Sequence, residues 1–255
     1  MRMLLPHVID DLSDAQLDDA YGWPGWPDPT PWLRVNMVAT LDGAARSPDG
    51  LTAAISSDAD RRVFGRLRGL ADVVLVGAGT VRDEGYRPAR AKPEFAARRA
   101  DSGQRPVPVI AVVSRSLRLD MSSALFSDRE TRPIVITCAA ADSVDLDRVS
   151  EHADIVISGA DEVDLAVALR ALRERGLHRV HSEGGPALLA DIAAQGLLDE
   201  VLLTVSPLLA GGGYAGGMHI PRIMAGSPLP DAPTAMRLHQ IIEEDGTLFV
   251  SYRAS

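Results

Sequence analysis

His181-Ser182-Glu183-Gly184-Gly185-Pro186-Ala187-Leu188-Leu189-Ala190-Asp191-Ile192-Ala193-Ala194-Gln195-Gly196-Leu197-Leu198-Asp199-Glu200 reads as a strand end, a glycine turn and a helix. Arg179-Val180-His181 closes a short strand, and Leu188, Leu189, Ile192 and Ala193 recur at helical spacing as far as a stop at Gly196. Pro186 stands at the first helical position, where a missing N–H costs nothing. Two glycines before it let a ligand approach the backbone, and the free N–H groups of the first turn suit a phosphate or pyrophosphate. A ligand-free tight turn has the same local pattern.

A second feature of the same kind favours the ligand. Val73-Val74-Leu75-Val76 is a buried-strand run that empties into Gly77-Ala78-Gly79-Thr80. Two glycine-bearing loops at strand ends are what a nucleotide crevice in an open sheet requires. Neither is a Rossmann fingerprint, because Arg82 stands where a third glycine belongs; a lysine phosphate loop is absent too, Lys92 being the only lysine.

Outward from these loops, strands alternate with helices. Leu33–Ala39, Val109–Val113, Ile134–Thr137 and Ile155–Ile157 read as strands. Ser56-Ser57-Asp58 caps a helix whose apolar stripe is Val63, Phe64, Leu67 and Leu70, with Arg61, Arg62, Arg66 and Arg68 mostly on its solvated side. Asp142 to His152 is helical or irregular, and Leu165, Ala168, Leu169 and Leu172 form a helix stopped at Gly176. Val201–Val205 and Thr247–Tyr252, with little helix between them, predict antiparallel pairing. The expected fold is therefore α/β with a mostly parallel central sheet and an antiparallel C-terminal part. Residues 1–31 read as an arm with a short helix near Asp10–Leu17 and a proline-rich run whose Trp23 and Trp26 pack on the body or on a partner subunit. Residues 89–106, rich in Arg, Ala, Pro and Gly, read as a mobile surface loop.

Composition bounds the function. A chain of 255 residues, 46% hydrophobic, supports one sizeable core, and a net charge of −9 argues against nucleic-acid or acidic-membrane surfaces. No apolar run is long enough to span a bilayer, and the N-terminus lacks a signal-peptide layout. Cys138 is alone, which fits a cytoplasmic setting and excludes an internal disulfide. The scattered histidines give no metal-ligand spacing, and a G-x-S-x-G elbow is absent. Hydride transfer from a nicotinamide is the economical reading, since it asks the protein chiefly to position a cofactor and manage one proton. Hydroxyl and guanidinium at Ser114-Arg115, after a strand, suit the 2′-phosphate that distinguishes NADPH from NADH; an exposed turn would look the same.

Thr40-Leu41-Asp42-Gly43, then Leu67-Arg68 followed by Ala71–Thr80, then Glu183-Gly184-Gly185-Pro186 with Asp199-Glu200, Pro207 and Gly211-Gly212 resemble one family. It is the reductase domain of bacterial riboflavin biosynthesis, the C-terminal half of the bifunctional deaminase-reductase. The resemblance runs from about Trp32 to Tyr252 and implies a dihydrofolate reductase-like three-layer α/β/α domain over 32–255. The deaminase half's zinc pattern is absent. The resemblance implies NADPH at Ala39, Gly77, Gly79, Thr80, Ser114, Arg115, Gly184, Gly185, Pro186, Ala187 and Leu188. It implies a pyrimidine substrate at Asp42, Thr52, Ser56, Arg68, Arg87 and Glu183, with Arg68 facing its phosphate. Glu183 is the first candidate for orienting substrate or assisting protonation, and Asp42 the second. The family's homodimer is a further implication, with Val201–Leu209 as interface strand or core.

Two positions depart from the family pattern. Ala44 follows the Asp42 turn where Lys or Arg is usual, and Glu84-Gly85-Tyr86 replaces an Asp-Asp-Pro or Asp-Asn-Pro run. The expectation is thus an NADPH-dependent reductase of a pyrimidine or pteridine-like heterocycle, foremost of 5-amino-6-(5-phosphoribosylamino)uracil. The alternatives are a dihydrofolate reductase-like activity and a non-catalytic NADP(H)-binding protein.

Overall fold

The structure, a computed structural model, describes residues 1–24, 32–47, 50–128, 130–211, 214–215, 218–226, 229–230 and 233–255, with no side chains at 214–215 and 218–219. Trp26, Pro27, Pro29, Pro31 and Gly212 lie outside these residues. In chain order the elements are β1 (Arg2–Leu5), α1 (Asp14–Ala20), β2 (Trp32–Thr40), α2 (Asp58–Leu70), β3 (Val73–Gly77), α3 (Ala78–Asp83), α4 (Pro93–Asp101), β4 (Val109–Val113), α5 (Ala124–Ser127), β5 (Ile134–Thr137), α6 (Ser143–Ser150), β6 (Asp154–Ile157), α7 (Leu165–Glu174), β7 (Arg179–Ser182), α8 (Pro186–Ala194), β8 (Glu200–Ser206), β9 (Tyr214–Ala215), β10 (Met218–His219), β11 (Met236–Glu244) and β12 (Thr247–Ala254). The chain forms two compact units, one of Met1–Gly22, Leu33–Leu67 and Glu183–Ser255, the other of Trp23–Trp32 and Arg68–Ser182.

The second unit carries parallel strands in the order β7-β3-β4-β5-β6. All four residues of β5 and the four valine and leucine positions of β3 are buried, as strands covered on both faces require. α4 corrects the expectation of a mobile loop. Pro93 opens this helix, Phe95 is buried, and a β-carbon at Gly69 would stand 2.3 Å from the Phe95 ring, so α4 seats on the glycine face of α2. Arg99, also buried, donates to the carbonyls of Gly69 (2.8 Å), Ala71 (2.7 Å) and Arg105 (2.7 Å). An arginine-rich composition had concealed an anchor. Trp23 donates to the Leu70 carbonyl at 2.9 Å, the packing role among the two expected of it.

In the first unit the order is β1-β11-β12-β8-β2, antiparallel except for the parallel pair β8·β2. β8 lies between β12 and β2 and alternates buried and half-buried residues, the signature of a one-sided strand. Where sequence set residues 1–31 apart, β1 pairs with β11 (Met3 opposite Ile242) and α1 is fastened to α2. The fastening is a buried two-pronged ion pair, Arg66 Nε and Nη2 to the Asp18 carboxylate at 2.6 and 2.5 Å. Arg66 is therefore not a solvated residue. Removing one partner of such a pair costs ~3–5 kcal/mol, because the other charge stays buried.

Candidate active site

Each unit presents chemistry at the C-terminal ends of its parallel strands, where open α/β sheets bind ligands. In the second unit, Gly77 ends β3 and caps α3, so Gly79 and Thr80 lie within a helix. This corrects the reading of 77–80 as a loop. A β-carbon at Gly79 would meet nothing nearer than Arg82 at 3.9 Å, so space does not demand glycine there. Beyond β4, Ser114 is buried and donates its N–H to the Ile136 carbonyl at 2.9 Å. Arg115 reaches outward and pairs with Glu162 at 2.8 Å. Arg68, on the last turn of α2, has its guanidinium 5.2 Å from the centre of the Tyr86 ring. The second departure from the family pattern thus supplies a platform for the arginine. Arg87, next to Tyr86, is exposed.

In the first unit, β2 and β8 end level, Thr40 opposite Ser206, and their following turns join through Leu41 N–H to the Leu208 carbonyl at 2.9 Å. Asp42 closes that junction. Its exposed carboxylate accepts from the Thr40 hydroxyl and from the N–H groups of Ala210 (3.2 Å) and Gly211 (2.7 Å). The Thr40 hydroxyl first, then these backbone donors, hold its carboxyl below the usual range, so it stays ionised. This arrangement makes Asp42 a clamp on the 210–211 turn. Ala44 is buried and donates its N–H to Thr40 Oγ1 at 3.0 Å, so position 44 offers a methyl group and no charge. Ala39 is buried in β2 opposite Val205.

Glu183 follows the last residue of β7 and is buried. Gly184 adopts φ +76°, and its peptide to Gly185 is cis. That φ favours glycine, and a β-carbon there would also stand 2.8 Å from the Met37 sulfur, which would have to move aside. Gly185 caps α8 without any side-chain hydrogen bond, Pro186 follows, and no acidic residue occupies the first turn. Leu188 is buried and Ala187 exposed. His181, paired opposite Val74 and fully buried, is a strand residue of the core.

Thr52 accepts the Ile55 N–H through its carbonyl at 3.0 Å in the turn before α2. Ser56 and Ser57 follow at the edge of a cavity of about 400 Å³ lined also by Asp58, Pro207, Leu208, Asp245 and Thr247. Sequence reasoning missed three contacts here: Tyr86 beneath Arg68, Glu162 on Arg115, and Asp60, which joins Ser56 to Thr204. Tyr86 was signalled by the departure at 84–86 and Asp60 stands four residues after Ser56, whereas Thr204 and Glu162 leave no local trace.

A profile of the RibD C-terminal domain family matches residues 31–238. The 2,5-diamino-6-ribosylamino-4(3H)-pyrimidinone 5′-phosphate reductase of Archaeoglobus fulgidus is 30% identical over 182 residues, 71% of this chain and 83% of that protein. The riboflavin biosynthesis protein RibD of Bacillus amyloliquefaciens is 27% identical over 186 residues, 72% of this chain and 48% of its own length. A pyrimidine reductase-like protein from Corynebacterium diphtheriae shares the fold with a TM-score of 0.77 at 24% identity, covering 93% of this chain and 98% of the other. The mixed, mostly parallel α/β architecture and the match over most of the chain agree: the chain belongs to the RibD C-terminal domain family.

Proposed function

We propose that this chain is an NADPH-dependent reductase that converts the ribosylamino group of a pyrimidine 5′-phosphate to ribitylamino. The substrate is 2,5-diamino-6-ribosylamino-4(3H)-pyrimidinone 5′-phosphate or 5-amino-6-(5-phosphoribosylamino)uracil. The observation that carries this reading is the junction at 183–188: a buried carboxylate, two glycines and an uncapped helix start in one continuous run.

That junction fits the cofactor's pyrophosphate. The α8 N-terminus has no side-chain cap and no acidic first turn, so its free N–H groups and dipole favour an anion. Gly184, Gly185, Pro186, Ala187 and Leu188 would hold it. Gly77, Gly79 and Thr80, with Ser114 and Arg115, are assigned to the remainder, and Ala39 to the nicotinamide end. Bound NADPH supplies a hydride, and forming ribitylamino from ribosylamino adds that hydride at C1′ together with one proton. Glu183, fixed by the strand end behind it, orients the substrate and supports the proton step. Arg68, stacked on Tyr86, takes the substrate phosphate with its forked donors, assisted by Arg87. Asp42, held ionised by Thr40 and the Ala210 and Gly211 N–H groups, is the second carboxylate assigned to the substrate, with Thr52 and Ser56 as further substrate contacts.

Parallel assays of NADPH oxidation with both pyrimidines and with dihydrofolate test the proposal. Turnover of a pyrimidine alone is expected. Turnover of dihydrofolate alone would replace this reading with the dihydrofolate reductase one, and NADPH binding without any turnover would make the chain a cofactor-binding protein.

A further inference from the structure

Asp60 is buried in the first turn of α2 and accepts two hydroxyl hydrogens: Ser56 Oγ donates at 2.5 Å and Thr204 Oγ1 at 2.6 Å. A carboxylate only accepts, and a serine hydroxyl has one hydrogen to give. Once that hydrogen is committed to Asp60, the Ser56 oxygen has only lone pairs left. Ser56 is partly exposed and borders the 400 Å³ cavity, a volume within the range of small-molecule sites. The same cavity is bordered by Asp58, Glu244 and Asp245. Arg61 pairs with Asp58 and the N-terminal amine lies 3.6 Å from Glu244, and with buried Asp60 these four carboxylates outnumber the two cations, which disfavours an anion. We propose that Asp60 is a positioning residue that turns Ser56 into an obligate hydrogen-bond acceptor, so that this cavity takes a donor-bearing part of the substrate and excludes its phosphate. The donor is a sugar hydroxyl or a ring amine. This inference rests on the reductase reading and adds to it the polarity of one substrate contact.

Asp60→Asn tests it, because the amide replaces one of the two acceptor oxygens with an NH2 donor group. Facing that NH2, Ser56 has its own hydrogen free toward the cavity and meets the substrate donor with a donor. KM for the pyrimidine should rise by about tenfold, the scale of one polar contact, with kcat and NADPH affinity nearly unchanged. In a Ser56→Ala background the same substitution should have no further effect on KM. Thr204→Val removes the other hydroxyl from Asp60 and should lower the melting temperature while leaving KM in place. Inhibition by inorganic phosphate should be the same in wild type and Asp60→Asn. An effect confined to the diaminopyrimidine assigns the donor to the 2-amine, and an equal effect on both pyrimidines assigns it to a group they share, a sugar hydroxyl or the 5-amine. The proposal is overturned by an unchanged KM in Asp60→Asn, by a KM effect that persists without Ser56, by an equal KM rise in Thr204→Val, or by altered phosphate inhibition. Wild-type protein that reduces neither pyrimidine removes the reductase reading and this inference together, an outcome distinct from normal turnover in both wild type and Asp60→Asn.

Discussion

A β-carbon on Gly184 would come within 2.8 Å of the Met37 sulfur, in a residue whose φ is +76°. The glycine turn is thereby tied to β2 by packing, independently of any ligand. Gly184→Ala should destabilise the chain by ~1–3 kcal/mol through overpacking and the left-handed backbone. Met37→Ala added to it should recover part of the packing loss, read as the midpoint of urea unfolding. Wild-type stability in Gly184→Ala would show that the turn relaxes freely.

Asp42 gives a prediction with a definite sign. Its folded-state carboxyl lies below the ordinary value of 3.8, first through Thr40 and then through the Ala210 and Gly211 N–H groups. A depressed carboxyl contributes stability above its unfolded value, and that contribution is lost as pH falls through the folded one. The stability difference between wild type and Asp42→Ala should therefore be full at neutral pH and shrink below about pH 4. The carboxyl carbon shift of Asp42, followed by NMR, should titrate only in that acid range. Titration near neutrality would return Asp42 to the list of proton donors.

Much of this architecture was legible because local chemistry and burial agree. Val73–Val76 and Ile134–Thr137 are uniformly apolar and are buried throughout. Pro186 and Gly196 bracket α8 as their backbone preferences require. α4 was lost among arginines because Phe95 and Arg99 reveal their purpose only against Gly69 and Ala71. β1 was invisible for a related reason: of its four residues only Met3 is buried, and its partner Ile242 lies at the far end of the chain. Within the candidate site Glu183 and its glycines stand in one run. The Asp60–Thr204 and Asp42–Gly211 contacts join residues 144 and 169 positions apart, a distance no local pattern spans.

Arg68 and Tyr86 should act together on the phosphorylated end of the substrate. Arg68→Ala should raise KM by about 10- to 100-fold if a charge-assisted contact of ~1–3 kcal/mol is lost. Tyr86→Leu should cost less, ~0.5–1 kcal/mol, for a half-buried cation–π contact. A dephosphorylated substrate should be indifferent to both changes. An equal loss with that substrate would move Arg68 away from the phosphate.

Cofactor choice should reside in Arg115. Arg115→Ala should weaken NADPH by ~1–3 kcal/mol while sparing NADH. Glu162→Gln, which frees Arg115 from its 2.8 Å partner, should strengthen NADPH at low salt. Fluorescence titration of both cofactors measures this, and equal affinity of wild type for NADPH and NADH would remove the assignment.

Hydride delivery to C1′, with Glu183 supporting the proton step, is read out by one labelled turnover. NADPH carrying deuterium on the transferred position of its nicotinamide is mixed with wild type and with Glu183→Gln, and the pyrimidine product is weighed by mass spectrometry. One deuterium is expected at C1′ of the ribitylamino product in both, formed ~10²-fold or more slowly by Glu183→Gln at unchanged cofactor affinity. An unlabelled product, or a Glu183→Gln variant that turns over at the wild-type rate, would contradict it.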